Sequence, residues 1–160
     1  KLKQFLPPIS AGQGLLICGS ISASLYAGAL WFQYVEGLYP CKMCLWQRWP
    51  HYFVILLGLL AFTALRPSLL LILAILMMWV TGGIGFYHAG VEMGIFSGPG
   101  GCTASFEELP IAEGLQNLLD TSPVRCDEVV WSFLGLSMAA WNGLISTLAA
   151  LISMILYRRI

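Results

Sequence analysis

Charge is scarce in this chain. Charged residues make up 10% of its 160 positions, eight basic against eight acidic, and the formal net charge is zero. An ordinary globular domain carries about 25%. No basic run is available to track a phosphate backbone and no acidic tail is present, so a nucleic-acid partner is excluded. The polar, low-complexity composition of a disordered segment is missing as well. What fills the chain instead is apolar: 58% of residues are hydrophobic and the mean hydropathy is +0.79. Too little polar surface exists to cover a water-soluble fold of this size, which also removes a secreted disulfide scaffold. The sequence is that of an integral membrane protein.

Crossing a hydrocarbon core of about 30 Å takes roughly 20 apolar residues in a helix. Four stretches qualify, at about 14–35, 45–65, 68–87 and 132–157. The first and third carry no charge, the second carries only Arg48 near its start, and the last ends against Arg158 and Arg159. Arg66-Pro67 reads as the hairpin turn between spans two and three, because Pro cannot continue a helix. The expected fold is all-α, a single four-span bundle over residues 1–160 with loops at about 36–44 and 88–131. The apolar run after Lys1-Leu-Lys3 exceeds the 7–15 residues typical of a leader's core and lacks a small-residue cleavage site, so it reads as a span.

An even number of spans puts both termini and the Arg66 turn on one side, together with Lys1, Lys3, Arg158 and Arg159. The positive-inside rule makes that side cytoplasmic. Lys42 and Arg125 lie opposite, with all eight acidic residues, and so do both loops.

Four of the five cysteines fall in those outward loops. Cys41 and Cys44 form a CxxC, Cys102 and Cys126 share the long loop, and Cys18 sits alone in the first span as a small packing residue. Disulfides persist on the oxidising side of a membrane, so cysteine placement and charge select the same side. A plain loop staple accounts for Cys102 and Cys126 as readily as a redox role does. It accounts poorly for Cys41 and Cys44, since so short a loop removes little chain entropy. Metal binding by a CxxC needs two further ligands, which Cys102, Cys126 and His88 could supply, but such a site competes with disulfide formation. A redox pair leads, with no metal.

The CxxC opens the second span, where unsatisfied amides and the helix dipole favour a thiolate. Arg48 lies four residues beyond Cys44, on the same helix face. It either snorkels to the interface or pairs with an anion, the Cys44 thiolate or a reduced cofactor's oxygen. Pro50 either kinks the span or marks its regular start. His88, at the outward end of span three, is an interfacial histidine or a hydrogen-bond donor to a bound carbonyl. His51 suits a helix-packing hydrogen bond. Trp31, Tyr39, Trp46, Trp49, Tyr87 and Trp131 gather as an aromatic belt would, and several could line a flat apolar site. In the long loop, Ser97-Gly-Pro-Gly-Gly101 is a flexible lead into Cys102. Beyond it, Pro110, Ile111, Leu115, Leu118 and Leu119 have the spacing of a short helix lying on the membrane surface.

Taken together, Pro40-Cys-Lys-Met-Cys44, Gln47-Arg48, Tyr87-His88, the loop pair Cys102 and Cys126, and Trp131-Ser-Phe-Leu-Gly-Leu136 resemble the DsbB family of bacterial inner-membrane thiol oxidases. The resemblance runs over essentially the whole chain. It implies a multi-pass inner-membrane enzyme with cytoplasmic termini and periplasmic redox loops. Its partner is a reduced periplasmic thioredoxin-fold protein of the DsbA type, and its cofactor is a membrane quinone, ubiquinone or menaquinone. By position, it implies that Cys102 is attacked by the partner and that Cys126 then attacks Cys41. The released Cys44 thiolate passes electrons to the quinone through a charge-transfer complex. Arg48 is implied as a stabiliser of that thiolate and of the quinone anion, and His88 as a neighbour of the quinone. Gln47 stands where some members have Glu, and Ala139 where some have Pro.

Two rivals make different demands. A vitamin K epoxide reductase-like protein also has four spans and two thiol pairs, but with its loop pair before its CxxC, the reverse of this chain. A tetraspan scaffold stapled by inert disulfides has no use for Arg48.

Overall fold

The computed structural model describes residues 9–63, 66–100, 102 and 124–157. The surface helix expected around Pro110 to Leu119 and the basic termini lie outside them. Helix α1 (Ala11–Tyr34) starts at Ser10, whose side chain accepts from Gln13 N while the Gln13 side chain accepts from Ser10 N. That reciprocal box satisfies two amides a helix start would leave bare. Helix α2 (Lys42–Leu59) is capped by Cys41 and finishes in a short 3-10 turn at Leu60–Phe62. Pro50 lies inside it and the helix continues past the ring, so Pro50 does not mark its start.

Helix α3 (Pro67–Glu92) begins with Pro at its first position, where the missing N–H has no partner to lose. It runs further than the hydropathy pattern implied, so His88 sits on the helix and not at the head of a loop. Gly94, at φ +71°, ends it: Ile95 N bonds to Gly90 O at 2.8 Å and Gly94 N to Val91 O at 3.0 Å, a Schellman termination.

The fourth span was expected from about residue 132, and here the structure differs. Strands β1 (Ser132–Phe133) and β2 (Leu136–Ser137) pair antiparallel, Ser132 with Ser137 and Phe133 with Leu136. Leu134 and Gly135 both have positive φ, which matches the twist of a two-residue hairpin. Helix α4 (Met138–Tyr157) starts after the hairpin, with Ser137 Oγ accepting from Ala140 N. Its 20 residues rise about 30 Å, so the span survives the shortening.

Three helices, α1, α3 and α4, are long and apolar enough to cross a membrane. The chain is a mostly helical membrane protein. Large apolar side chains such as Leu56, Leu59, Ile72, Leu76, Val80 and Ile152 face outward, a surface that lipid solvates and water does not. Helices associate in such a setting by close approach at small residues. A Cβ on Gly85 would meet Ala139 O and Gly143 N at 2.8 Å, and one on Gly58 would meet the Gly19 Cα at 3.0 Å. The α3–α4 and α1–α2 contacts therefore bring backbone against backbone. Between them lies a core of Leu15, Cys18, Val54, Leu71 and Met78. Cys18 is buried as expected, its sulfur 3.3 Å from Ser153 Oγ.

Candidate redox site

A second buried cluster forms where α2 begins and α3 ends: Cys41, Met43, Val91, Cys102 and Cys126, with Cys44 and Val124 packed against it. Cys102 and Cys126 are joined in a disulfide, with Cα atoms 5.2 Å apart. Cys126 N also donates to Cys102 O at 2.9 Å. Lys42 Nζ donates to Gly100 O at 3.3 Å, tying the start of α2 to the segment that leads into Cys102.

Cys41 and Cys44 are free thiols with sulfurs 2.9 Å apart. As the N-cap, Cys41 Sγ accepts the Cys44 amide at 3.2 Å. His88 Nε2 is 3.6 Å from the same sulfur. The Cys44 hydrogen bond, together with His88, outweighs burial and brings the Cys41 thiol down to about 4. The helix-start reasoning placed the thiolate on Cys44. In this dithiol Cys41 is the thiol brought down, because the cap position collects the Cys44 amide and His88.

Arg48 was expected on Cys44's face, either snorkelling to the interface or paired with an anion. Its guanidinium instead reaches α1, with Nη1 donating to Gln33 Oε1 at 2.5 Å and Nη2 to Ala29 O at 3.4 Å. These neutral partners orient the charge and leave it uncompensated by a carboxylate among the described residues. A cavity of about 410 Å³ adjoins the group, lined by Cys44, Arg48, His88 and Glu92 among polar side chains and by aromatic rings including Phe32 and Trp131. Phe32 and Trp131 pack with centroids 4.8 Å apart. Trp31, Tyr39, Trp46, Trp49 and Tyr87 are exposed, in keeping with a belt. The ligand atoms of Cys41, Cys44 and His88 all lie within 4.8 Å of one another, a spacing that also suits a cation.

Reading by motif missed the polar layer beneath the thiols. Gln47 Nε2 donates to His88 Nδ1 at 2.8 Å and Gln47 Oε1 accepts from Asn142 Nδ2 at 2.7 Å. Asn142 Oδ1 is 2.9 Å from His51 Nε2, and His51 Nδ1 is 3.1 Å from Ser22 Oγ, the packing role expected of His51. Glu92, on the last turn of α3, keeps its side chain 7% exposed with Oε1 3.9 Å from His88 Nε2; its Oε2 has no hydrogen-bond partner among the described residues. Asn142 and Thr81 were legible only as polar residues in apolar spans, a signal that deserves a functional reading by default. Glu92 was counted among the outward acidic residues.

A dithiol at a helix start, a disulfide packed in the same buried cluster and a surround of apolar helices define a membrane thiol–disulfide oxidoreductase. The sequence model of the family described as Disulfide bond formation protein DsbB matches residues 12–156. A Disulfide bond formation protein B of Shewanella sp. (strain MR-4) is 34% identical over 82% of this chain and 78% of its own. One from Methylococcus capsulatus is 33% identical over 80% of each chain, and one from Marinobacter nauticus 32% identical over 92% and 90%. The chain belongs to the DsbB family, and its activity is disulfide-generating oxidoreduction.

Proposed function

We propose that the protein reoxidises a periplasmic thioredoxin-fold dithiol of the DsbA type and delivers the electron pair to a membrane quinone. The single observation that carries this is the burial of the Cys102–Cys126 disulfide against the Cys41/Cys44 dithiol, with Cys44 and Arg48 lining one cavity. In the net reaction the partner's two thiols become a disulfide, and two electrons and two protons convert quinone to quinol.

The partner's thiolate attacks Cys102 and expels Cys126. In the oxidised CxxC, Cys126 then attacks Cys41 and expels Cys44, whose charge faces the cavity. Once Cys41 is tied up in the interloop disulfide it can no longer hold the charge it carries in the dithiol, so the thiolate moves to Cys44. Arg48, oriented by α1, is a cation lining the same cavity. A bound quinone supplies a two-electron acceptor; an apolar cavity with aromatic walls and a cation in its lining suits its flat ring and carbonyl oxygens. His88 faces the same space. The single domain has four spans, α2 included, in a bacterial inner membrane, with both termini cytoplasmic and the cysteine loops periplasmic.

The test is quinone absorbance during incubation of the purified protein with a reduced thioredoxin-fold dithiol and a soluble ubiquinone or menaquinone analogue. Catalytic loss of quinone in step with partner oxidation is expected. Cys44→Ser abolishes it, and Cys102→Ser abolishes reaction with the partner while leaving the CxxC intact. Quinone reduction that persists in Cys44→Ser would overturn the mechanism.

A further inference from the structure

His88 approaches the Cys41 sulfur, and whether it does so as a donor, a base or a metal ligand depends on which ring nitrogen carries the proton. The polar layer around it answers that from a backbone carbonyl. Thr81 Oγ1 donates to Gln47 O, which can only accept, at 3.0 Å, and lies 3.2 Å from His51 Nε2. Thr81 Oγ1 must then accept from the Asn142 end 3.1 Å away, which makes that end Nδ2. The same Nδ2 lies 2.7 Å from Gln47, so that end of Gln47 is Oε1. Its other end, Nε2, faces His88 Nδ1 at 2.8 Å, and Met43 O at 3.4 Å accepts from the same amide. On the opposite side of Asn142, Oδ1 accepts from Ser146 Oγ at 3.1 Å. Facing an N–H donor, His88 Nδ1 is an acceptor, and the ring proton sits on Nε2, 3.6 Å from Cys41 Sγ.

We infer that Gln47 is a positioning residue that holds neutral His88 in its Nε2–H tautomer, so that His88 serves Cys41 as a fixed hydrogen-bond donor and not as a base or a metal ligand. Protonating Nδ1 sets two donors face to face. Relieving that clash means turning the Gln47 amide, then Asn142, then the His51 tautomer, against a carbonyl that cannot turn. The same tautomer leaves no Nε2 lone pair for a cation between Cys41, Cys44 and His88. Other groups face the ring from each side: Cys41 on α2, Glu92 on α3 and the backbone of Cys126, with Arg48, Arg125 and Glu128 on the cavity wall. The acceptors among those nearest Nε2, the Cys41 sulfur and the Glu92 carboxylate, favour a proton there.

The inference rests on Cys41 being a working thiol and not on the identity of the electron acceptor, so it is tested without turnover. The full chain carrying ¹⁵N-histidine is titrated in detergent from about pH 5 to about pH 8, the range in which an ordinary histidine changes charge. The His88 signals are identified by their loss in His88→Gln. A pyridine-type Nδ1 and a pyrrole-type Nε2 are expected in the neutral ring; a neutral ring with its proton on Nδ1 overturns the inference. Separately, alkylation of Cys41 in the reduced protein is followed against pH by mass spectrometry. His88→Gln, which can place an amide N–H near Nε2, should retain the profile. His88→Leu should slow the reaction below neutral pH by about tenfold, the scale of one hydrogen bond to a charged atom. A Gln variant as slow as Leu sinks the donor role. Correct tautomers with no quinone turnover would leave this inference standing and remove the proposed electron acceptor.

Discussion

The reduction potential of the Cys41/Cys44 pair is expected to fall by only about 30 mV per pH unit through the neutral range. Cys41 sits at about 4 where a thiol ordinarily lies near 9, while Cys44 keeps its proton. Between about pH 5 and pH 8 the reduced pair therefore holds one proton, and closing the disulfide releases two electrons and one proton. For a two-electron couple a tenfold change in equilibrium is about 30 mV, so one proton means about 30 mV per unit and two mean about 59 mV. The sign is that of a depressed pKa. Stabilisation of the reduced folded form is complete above the ordinary value near 9 and is lost as pH falls towards about 4, so the disulfide is a stronger oxidant at neutral pH than one whose thiols are both protonated. The measurement is equilibration of a Cys102→Ser/Cys126→Ser variant with thiol redox buffers at several pH values, scoring Cys41 and Cys44 by alkylation. A slope of about 59 mV across the whole range would refute the acidic Cys41.

Three further perturbations have defined outcomes. Gly85→Ala puts a Cβ 2.8 Å from Ala139 O and Gly143 N; overpacking of this kind costs about 1–3 kcal/mol, so melting in detergent should fall, and an unchanged transition would mean that α3 and α4 part freely. Arg48→Met should raise the quinone KM by about tenfold, the scale of a lost charge-assisted hydrogen bond, and leave the partner KM alone; equal effects on both would make Arg48 structural. Glu92→Gln replaces a buried carboxylate whose Oε2 lacks a partner among the described residues, a burden of about 1–3 kcal/mol, and should raise the melting temperature; a fall would show that the charge is needed where it lies.

Approximate helix positions among the described residues and the placement of the CxxC at a helix start were readable from one dimension because they depend on local pattern. A run of apolar residues is a helix in lipid whatever it packs against, and Cys41 and Cys44 are three residues apart in any fold. The end of the pattern was less readable. Phe133, Leu134 and Leu136 are as apolar as a span, yet they form a hairpin, because the Leu134-Gly135 pair takes positive φ and a helix cannot. The extension of α3 to Glu92 was hidden for the opposite reason: His88 and Glu92 look like loop residues until burial is known.

By itself the sequence determined a membrane protein with a CxxC at the mouth of a helix and a second cysteine pair in a later loop. Hydropathy and spacing are properties of the chain, and they needed no partner to be read. Tertiary structure alone decided which sulfur bears the charge, where Arg48 points, and that Gln47, Asn142 and Thr81 form one hydrogen-bonded layer under the thiols. Those outcomes depend on donors and acceptors brought together from different helices. A donor's effect falls away within one bond length of misplacement, so only the packing of α1, α2, α3 and α4 could settle it.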